Sequence, residues 1–289
     1  MPFNLETFKT RALSAVVFVM IMMIGLMWNH WSFLVLFSII HFGCWVEYNK
    51  IIAIIEPEFQ TIPPTQRYGF MIAGWAFMLA MCGNEYFLKG TRMNSLGMLM
   101  LLVSGVVLQL FLVVLRKNFS TKSLGYSLLG LLYISLPWGL MIALRSRGIF
   151  SNGADMGKVI PLVLIASIWI NDTMAYIVGS FIGKTPFSPI SPKKTWEGTA
   201  GGVILCVAAV VLGGHFIFKI NDMALLAVIS AIAAVLGTTG DLLESKLKRM
   251  AGIKDSGQIL PGHGGFLDRF DSLLLATPFV WLYVVLAQV

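Results

Sequence analysis

Nine stretches of this chain are apolar for long enough to cross a lipid bilayer as helix, and that recurrence restricts the fold more than any other feature. About 17 to 25 predominantly apolar residues are needed to span roughly 30 Å of hydrocarbon at the rise of an α-helix. The stretches lie near residues 12–28, 31–55, 68–83, 96–115, 126–144, 159–181, 199–218, 222–240 and 271–289. They are continuously apolar, whereas the strands of a membrane barrel would alternate with a two-residue period. The sequence therefore predicts an all-α polytopic membrane helical bundle of about nine transmembrane helices. Composition agrees, with 57% hydrophobic and only 12% charged residues, far from a soluble globular average.

Orientation follows from the bases, which concentrate in cytosolic loops. With the N-terminus inside and the C-terminus outside, 15 of the 21 Lys and Arg residues fall on the cytosolic side. Two parts result. Residues 1–145 carry about five N-terminal spans; residues 146–289 carry about four, with cytosolic loops 182–198 and 241–271. Lys9 and Arg11 precede the first apolar run, but no small-residue cleavage site follows it, so it reads as a retained span. Cys44, Cys82 and Cys206 lie in or beside apolar runs without CxxC spacing, which argues against a disulfide framework or a zinc site. The net charge of +7 is distributed over short loops with no long basic face, so nucleic acid is not an expected partner.

The loop 241–271 does not fit a purely topological explanation. Ten of its 31 residues are charged, five acids and five bases, and orientation alone requires only bases. If the eighth span continues as helix through Met250, then Asp241, Glu244, Ser245 and Lys248 share one face, with Arg249 at its edge. Such a face presents oxygen ligands to a hard cation and donors to phosphate. The run GIKDSGQILPGHGG that follows cannot be continuous helix, and its exposed backbone N–H groups suit either a phosphate or a plain connector. Asp268, Arg269 and Asp271 close the loop where the ninth helix begins. Asp268 is the metal candidate there, and Asp271 is expected to pair with a nearby base. A solvated helix end with i to i+4 pairs is the simpler alternative for the first of these segments.

A second polar segment runs from Asn171 to Gly198. Asn171 and Asp172 fall inside the sixth span, where polar side chains are costly and usually face a cavity or a partner. Ser191, Lys193, Lys194 and Thr195 form a compact set of phosphate donors at its cytosolic end, where Glu197 is expected to pair with one of the lysines. Plain anchoring of the topology would also account for these bases. Glu47 and Lys50 are expected to form an i, i+3 pair at the membrane interface, and His41 and His215 to make ordinary hydrogen bonds.

The string SKLKRMAGIKDSGQILPGHGGFLDRFD resembles the signature of the phosphatidate cytidylyltransferases, also called CDP-diacylglycerol synthases. Ser245, Lys248, Arg249, Lys254, Asp255, Pro261, His263, Gly264, Gly265, Asp268, Arg269 and Asp271 satisfy that pattern without departure. The run NDTMAYIVGSFIGKTPFSPISPKKTWEG resembles the family's other polar segment. Together the two segments and the spans between them cover the C-terminal 40% of the chain; the first five spans match only in hydropathy.

The resemblance implies an integral membrane enzyme of phospholipid synthesis, in the bacterial inner membrane with its active site facing the cytosol. Its partners would be CTP, phosphatidate and the lipid bilayer, and its cofactor Mg2+, with room for a second cation. A phosphatidate oxygen would attack the α-phosphorus of CTP in line, giving CDP-diacylglycerol and pyrophosphate. A phosphomonoester is largely dianionic at neutral pH, so no strong general base is needed and His263 is better read as a phosphate donor or a shaper of the glycine turn. Asp241 and Asp268 are the expected metal ligands. Ser245, Lys248, Arg249, Lys254, Arg269, Lys193 and Lys194 are the expected phosphate donors, with Asp255 orienting one of them or meeting the nucleotide.

Rival readings are a CTP-dependent polyprenol or phytol kinase and, in a different class, a cation or phosphate transporter. No inverted repeat supports the latter, and the DGxxAR cluster of CDP-alcohol phosphotransferases is absent. Gly201 and Gly202 suit helix packing within a protomer or in a homodimer.

Overall fold

The computed structural model describes residues 5–115, 120–147, 150–151, 154–258 and 264–287. The described chain is all-α apart from three short ribbons. Its nine helices are α1 (Leu5–Met27), α2 (His30–Ile55), α3 (Pro64–Ala80), α4 (Met93–Leu112), α5 (Thr121–Ser146), α6 (Met156–Ile182), α7 (Trp196–Phe216), α8 (Met223–Met250) and α9 (Leu267–Leu286). Between them lie the antiparallel pairs β1 (Phe87–Leu88) with β2 (Thr91–Arg92), β3 (Phe150–Ser151) with β4 (Ala154–Asp155), and β5 (Pro186–Ser188) with β6 (Ser191–Thr195).

The protein is an integral membrane protein, and seven of its nine described helices are candidate membrane spans. Among the described residues, seven helices are long and apolar enough to cross a membrane: α2 and α4 to α9. Among the residues whose side chains are described, α1 contributes a shorter apolar stretch, Leu13–Met27. Helix α3 starts early because Pro64 occupies its first turn, where proline fits, and it ends at Ala80 after 17 residues. That length rises about 26 Å, short of a roughly 30 Å core.

Local chemistry explains the helix starts. Asn29 accepts from Ser32 N at 2.8 Å while Ser32 Oγ accepts from Asn29 N at 3.0 Å, a reciprocal cap that begins α2. Ser120 caps α5 through Ser123 N, and Thr195 caps α7 through Gly198 N at 3.1 Å. Helices α4 and α5 each contain a π-helical turn, at Leu102–Val107 and Leu131–Ser135. In the second, Ser135 Oγ lies 3.0 Å from His41 Nε2 and accepts from Trp45 Nε1 at 2.9 Å. The buried indole of Trp45 is thereby satisfied, and the imidazole of His41 gains a partner at Nε2.

The chain forms two compact units, residues 1–142 with 250–270 and residues 143–249 with 271–289. In the first, Phe33, Phe37, Trp45, Tyr48, Trp138 and Phe59 are fully buried. In the second, α6 and α7 approach closely through small residues: a Cβ on Gly198 would lie 2.8 Å from the Ala175 carbonyl oxygen, and one on Gly202 2.7 Å from Ala175 Cβ. Gly201 faces Val178 in the same way. These glycines therefore serve packing within the chain. Arg145, near the end of α5, is 1% exposed and faces Asp155 at 3.6 Å.

Candidate active site

A cavity of about 470 Å³ opens in the second unit, lined by Asn171, Asp172 and Tyr176 of α6, by Ser191, Lys193, Lys194 and Thr195 of β6, and by Thr238 and Asp241 of α8. Residues from both polar segments of the sequence line it. Asn171 is buried, and its Nδ2 donates to Thr238 Oγ1 at 3.2 Å. The Thr238 hydroxyl in turn donates to the Ala234 carbonyl at 2.9 Å. The donor side of the intramembrane amide is thus engaged between two helices, which offsets part of the cost of placing it there.

Lys193 and Lys194 reach the cavity because the cytosolic loop expected over 182–198 folds in part as the ribbon of β5 and β6. Glu197 holds the ribbon's first strand to the start of α7. Its carboxylate accepts from Lys184 N and Thr185 N at 3.1 Å and from Thr185 Oγ1 at 2.8 Å. This corrects the expected pairing with a lysine, and leaves Lys194 to form an ion pair with Asp241 instead. Glu197→Ala should let the ribbon drift, so that the Lys184 and Thr185 amides exchange with solvent about tenfold faster. Hydrogen exchange checks this, and unchanged protection of those amides would contradict it.

Helix α8 continues to Met250, so the expected face exists. Ser245 Oγ donates to Asp241 Oδ1 at 3.3 Å, and Lys248 pairs with Glu244 one turn away. Glu244 is fully buried and Asp271 nearly so. Asp241, Glu244 and Asp271 each present a carboxylate oxygen, all within 4.8 Å of one another. Glycine makes this grouping feasible: a Cβ on Gly240 would sit 2.6 Å from the Asp271 carbonyl oxygen, so only glycine lets α9 approach α8 there. Asp271 therefore sits among acids rather than beside the base expected for it. Glu244, read only as part of a helical face, is the cluster's most buried member.

Asp268, the other expected metal ligand, is engaged in its own loop in the first unit. Its Oδ2 accepts from Ser256 N at 2.9 Å and Gly265 N at 2.8 Å, and lies 2.9 Å from Ser256 Oγ. Gly264 adopts φ +78°, and a Cβ there would crowd Asp268 Oδ2 at 2.6 Å, so glycine is required on both counts. Lys254, Asp255 and Arg269 are exposed in the first unit, and Arg249 is exposed at the end of α8 in the second. Pro261 and His263 lie outside the described residues.

Glu47 departs furthest from expectation. It is 3% exposed and turns away from the solvent-exposed Lys50. Its Oε1 accepts from Phe266 N at 2.9 Å, and its Oε2 accepts from Leu267 N at 2.9 Å and Ser256 Oγ at 2.7 Å. No local pattern could have revealed a bond between residues 219 apart in sequence.

A helical membrane protein whose polar cavity combines paired lysines with a nearby carboxylate cluster belongs among enzymes that handle phosphates at a bilayer. Comparison with known proteins makes this specific. Residues 9–287 match the cytidylyltransferase family, and the chain belongs to that family. It is similar to the phosphatidate cytidylyltransferase of Staphylococcus saprophyticus, 34% identical over 201 residues, 69% of this chain and 73% of the relative. Enzymes of the same name from Bacillus subtilis and Synechocystis are 35% and 45% identical. The first alignment covers 63% of this chain and 65% of the relative, the second 45% and 44%.

Proposed function

We propose that this chain is an integral membrane phosphatidate cytidylyltransferase, which joins CTP to phosphatidate and releases CDP-diacylglycerol and pyrophosphate. The observation that carries the assignment to this site is the meeting of Lys193, Lys194, Asn171, Asp172 and Asp241 at one cavity. The excess of bases in cytosolic loops supports an orientation with N-terminus in, C-terminus out and the site open to the cytosol. A bacterial cytoplasmic membrane is the proposed location, matching the bacterial relatives.

In this reading the phosphatidate headgroup and the CTP phosphates both reach the cavity, the one from the bilayer and the other from the cytosol. A non-ester oxygen of phosphatidate forms a bond to the CTP α-phosphorus while the bond from that phosphorus to the β-phosphate bridging oxygen breaks. Pyrophosphate leaves with the electron pair, and no proton need move because the attacking group is already an anion. Lys193 and Lys194 neutralise phosphate oxygens, and Ser191 and Thr195 donate hydrogen bonds to them. Asn171 and Thr238 fix the wall against which Asp172 and Asp241 are presented.

The residues present fit a Mg2+ ion. Asp241, Glu244 and Asp271 offer only hard oxygen donors, and three carboxylates so close together call for a cation or for protonation. These three would hold the ion, with a second cation as a further proposal. When bound, it supplies positive charge against the triphosphate and the departing pyrophosphate. Asp268 contributes here by shaping the signature loop. Ser245, Lys248, Arg249, Lys254, Asp255, His263, Gly264, Gly265 and Arg269 are proposed as nucleotide contacts on residue type and signature position.

The test uses purified protein in detergent with phosphatidate, CTP and Mg2+. CDP-diacylglycerol and pyrophosphate should appear in equal amounts; folded protein that yields neither would overturn the proposal.

A further inference from the structure

The signature loop is held from outside itself. Helix α9 begins at Leu267, and the first backbone N–H groups of a helix have no partner within it. Here Phe266 N and Leu267 N are satisfied by the carboxylate of Glu47, on α2. That carboxylate also takes the Ser256 hydroxyl, whose oxygen lies 2.9 Å from Asp268 Oδ2. One buried acid on α2 thus ties together both described ends of the glycine loop and the start of α9.

The sequence around these contacts is built to admit Glu47. A Cβ on Gly257 would lie 2.9 Å from Glu47 Cδ, and one on Gly265 would overlap the same carboxylate. One turn before Glu47, Gly43 leaves the space occupied by the Phe266 ring, which a Cβ would overlap. Two loop glycines and one helix glycine are therefore explained by this junction. The charge is also well placed, because a carboxylate at a helix N-terminus is favoured by the dipole.

We propose that Glu47 is a positioning residue for the nucleotidyl transfer. Its carboxylate sets the conformation of the described ends of the signature loop, at Ser256 and at Gly265 to Asp268, and fixes where α9 begins. The inference rests on the cytidylyltransferase reading given above, and it assigns a role to a residue of the N-terminal helices, outside both polar segments that carry the signature. Glu47 acts through the backbone it holds, not by touching substrate.

The experiment compares Glu47→Gln, Glu47→Asp, Ser256→Ala and the exposed control Lys50→Ala as purified full-length protein. In Glu47→Gln the amide can turn only one acceptor oxygen toward the two N–H groups and must present its own donor elsewhere in the junction. Its kcat/KM for CTP should fall about 10²-fold, as expected for misplaced binding groups, while the KM for phosphatidate stays within about twofold. Glu47→Asp keeps the charge and should recover about tenfold of that loss. Ser256→Ala removes only the hydroxyl link and should lose about tenfold, and Lys50→Ala should match wild type.

Hydrogen exchange gives a readout independent of turnover: the Phe266 and Leu267 amides should exchange faster in Glu47→Gln, with the core of α3 unchanged. Wild-type kinetics and wild-type protection of those amides in Glu47→Gln would overturn the inference. So would equal losses in Glu47→Gln and Glu47→Asp accompanied by loss of protection throughout the protein, which would mark a merely structural role. If wild type itself made no CDP-diacylglycerol, the functional reading would fall, and the exchange result would still decide whether Glu47 holds the loop.

Discussion

Replacing Asp241 by Asn is expected to lower CDP-diacylglycerol formation by about 10³-fold, equivalent to about 4 kcal/mol of transition-state stabilisation. Asp241 stands at the junction of the two features that define the site. It pairs with Lys194 at the cavity wall and shares the carboxylate cluster with Glu244 and Asp271. Asparagine keeps the shape and still accepts the Ser245 hydroxyl, but it removes the charge that positions Lys194 and weakens the oxygen set offered to a cation. The loss should appear mainly in kcat, with the thermal midpoint close to wild type, because Asp241 is only half-buried. Turnover within tenfold of wild type in a folded protein would contradict the assignment. Lys194→Met gives a second view of the same pair and should lose activity that Lys194→Arg partly restores.

Chelation of divalent cations is expected to abolish turnover, by more than about 10³-fold, and added Mg2+ to restore it. The reason lies in the cluster: Glu244 is wholly buried and Asp271 is 9% exposed, yet both face Asp241. Without a cation their mutual repulsion must be relieved by protonation or by Lys248, which already pairs with Glu244. Asp271→Asn should therefore raise the Mg2+ concentration needed for half-maximal rate at least tenfold. A Mg2+ titration of rate for wild type and variant checks this. Full activity in excess chelator, or an identical Mg2+ requirement in Asp271→Asn, would contradict it.

Much of the site was legible because charge is rare in this chain and its exceptions stand out. Asn171 and Asp172 interrupt an apolar window, and Lys193 and Lys194 follow at its cytosolic end; the cavity is lined by all four. The face Asp241, Glu244, Ser245, Lys248 follows from helical periodicity, and α8 does run to Met250.

What the sequence concealed depends on how elements turn toward one another. Asp268 and Asp271 are both acids in the opening turns of α9, and spacing alone cannot say which faces α8. Asp268 turns back to cap Gly265 and Ser256 in its own loop, while the gap left by Gly240 brings Asp271 to Asp241 and Glu244. The glycines of the loop suit either a phosphate or a plain connector when read in sequence, and Gly257 and Gly265 also make room for Glu47. Glu47 itself looked like an interfacial partner of Lys50, because a contact across more than 200 residues leaves no local trace. Helix α3 starts four residues earlier than its apolar run, because Pro64 suits the first turn of a helix, and it runs for 17 residues.

The central claim is that the α-phosphorus of CTP, with its cytidine, is transferred to a lipid phosphate. Purified protein supplied with phosphatidate, Mg2+ and CTP labelled either at the α- or at the γ-phosphorus tests it directly. The account predicts that α-label enters the lipid fraction as CDP-diacylglycerol while γ-label appears only in pyrophosphate. Entry of γ-label into lipid, with CDP released to water, would contradict it and mark a CTP-dependent lipid kinase.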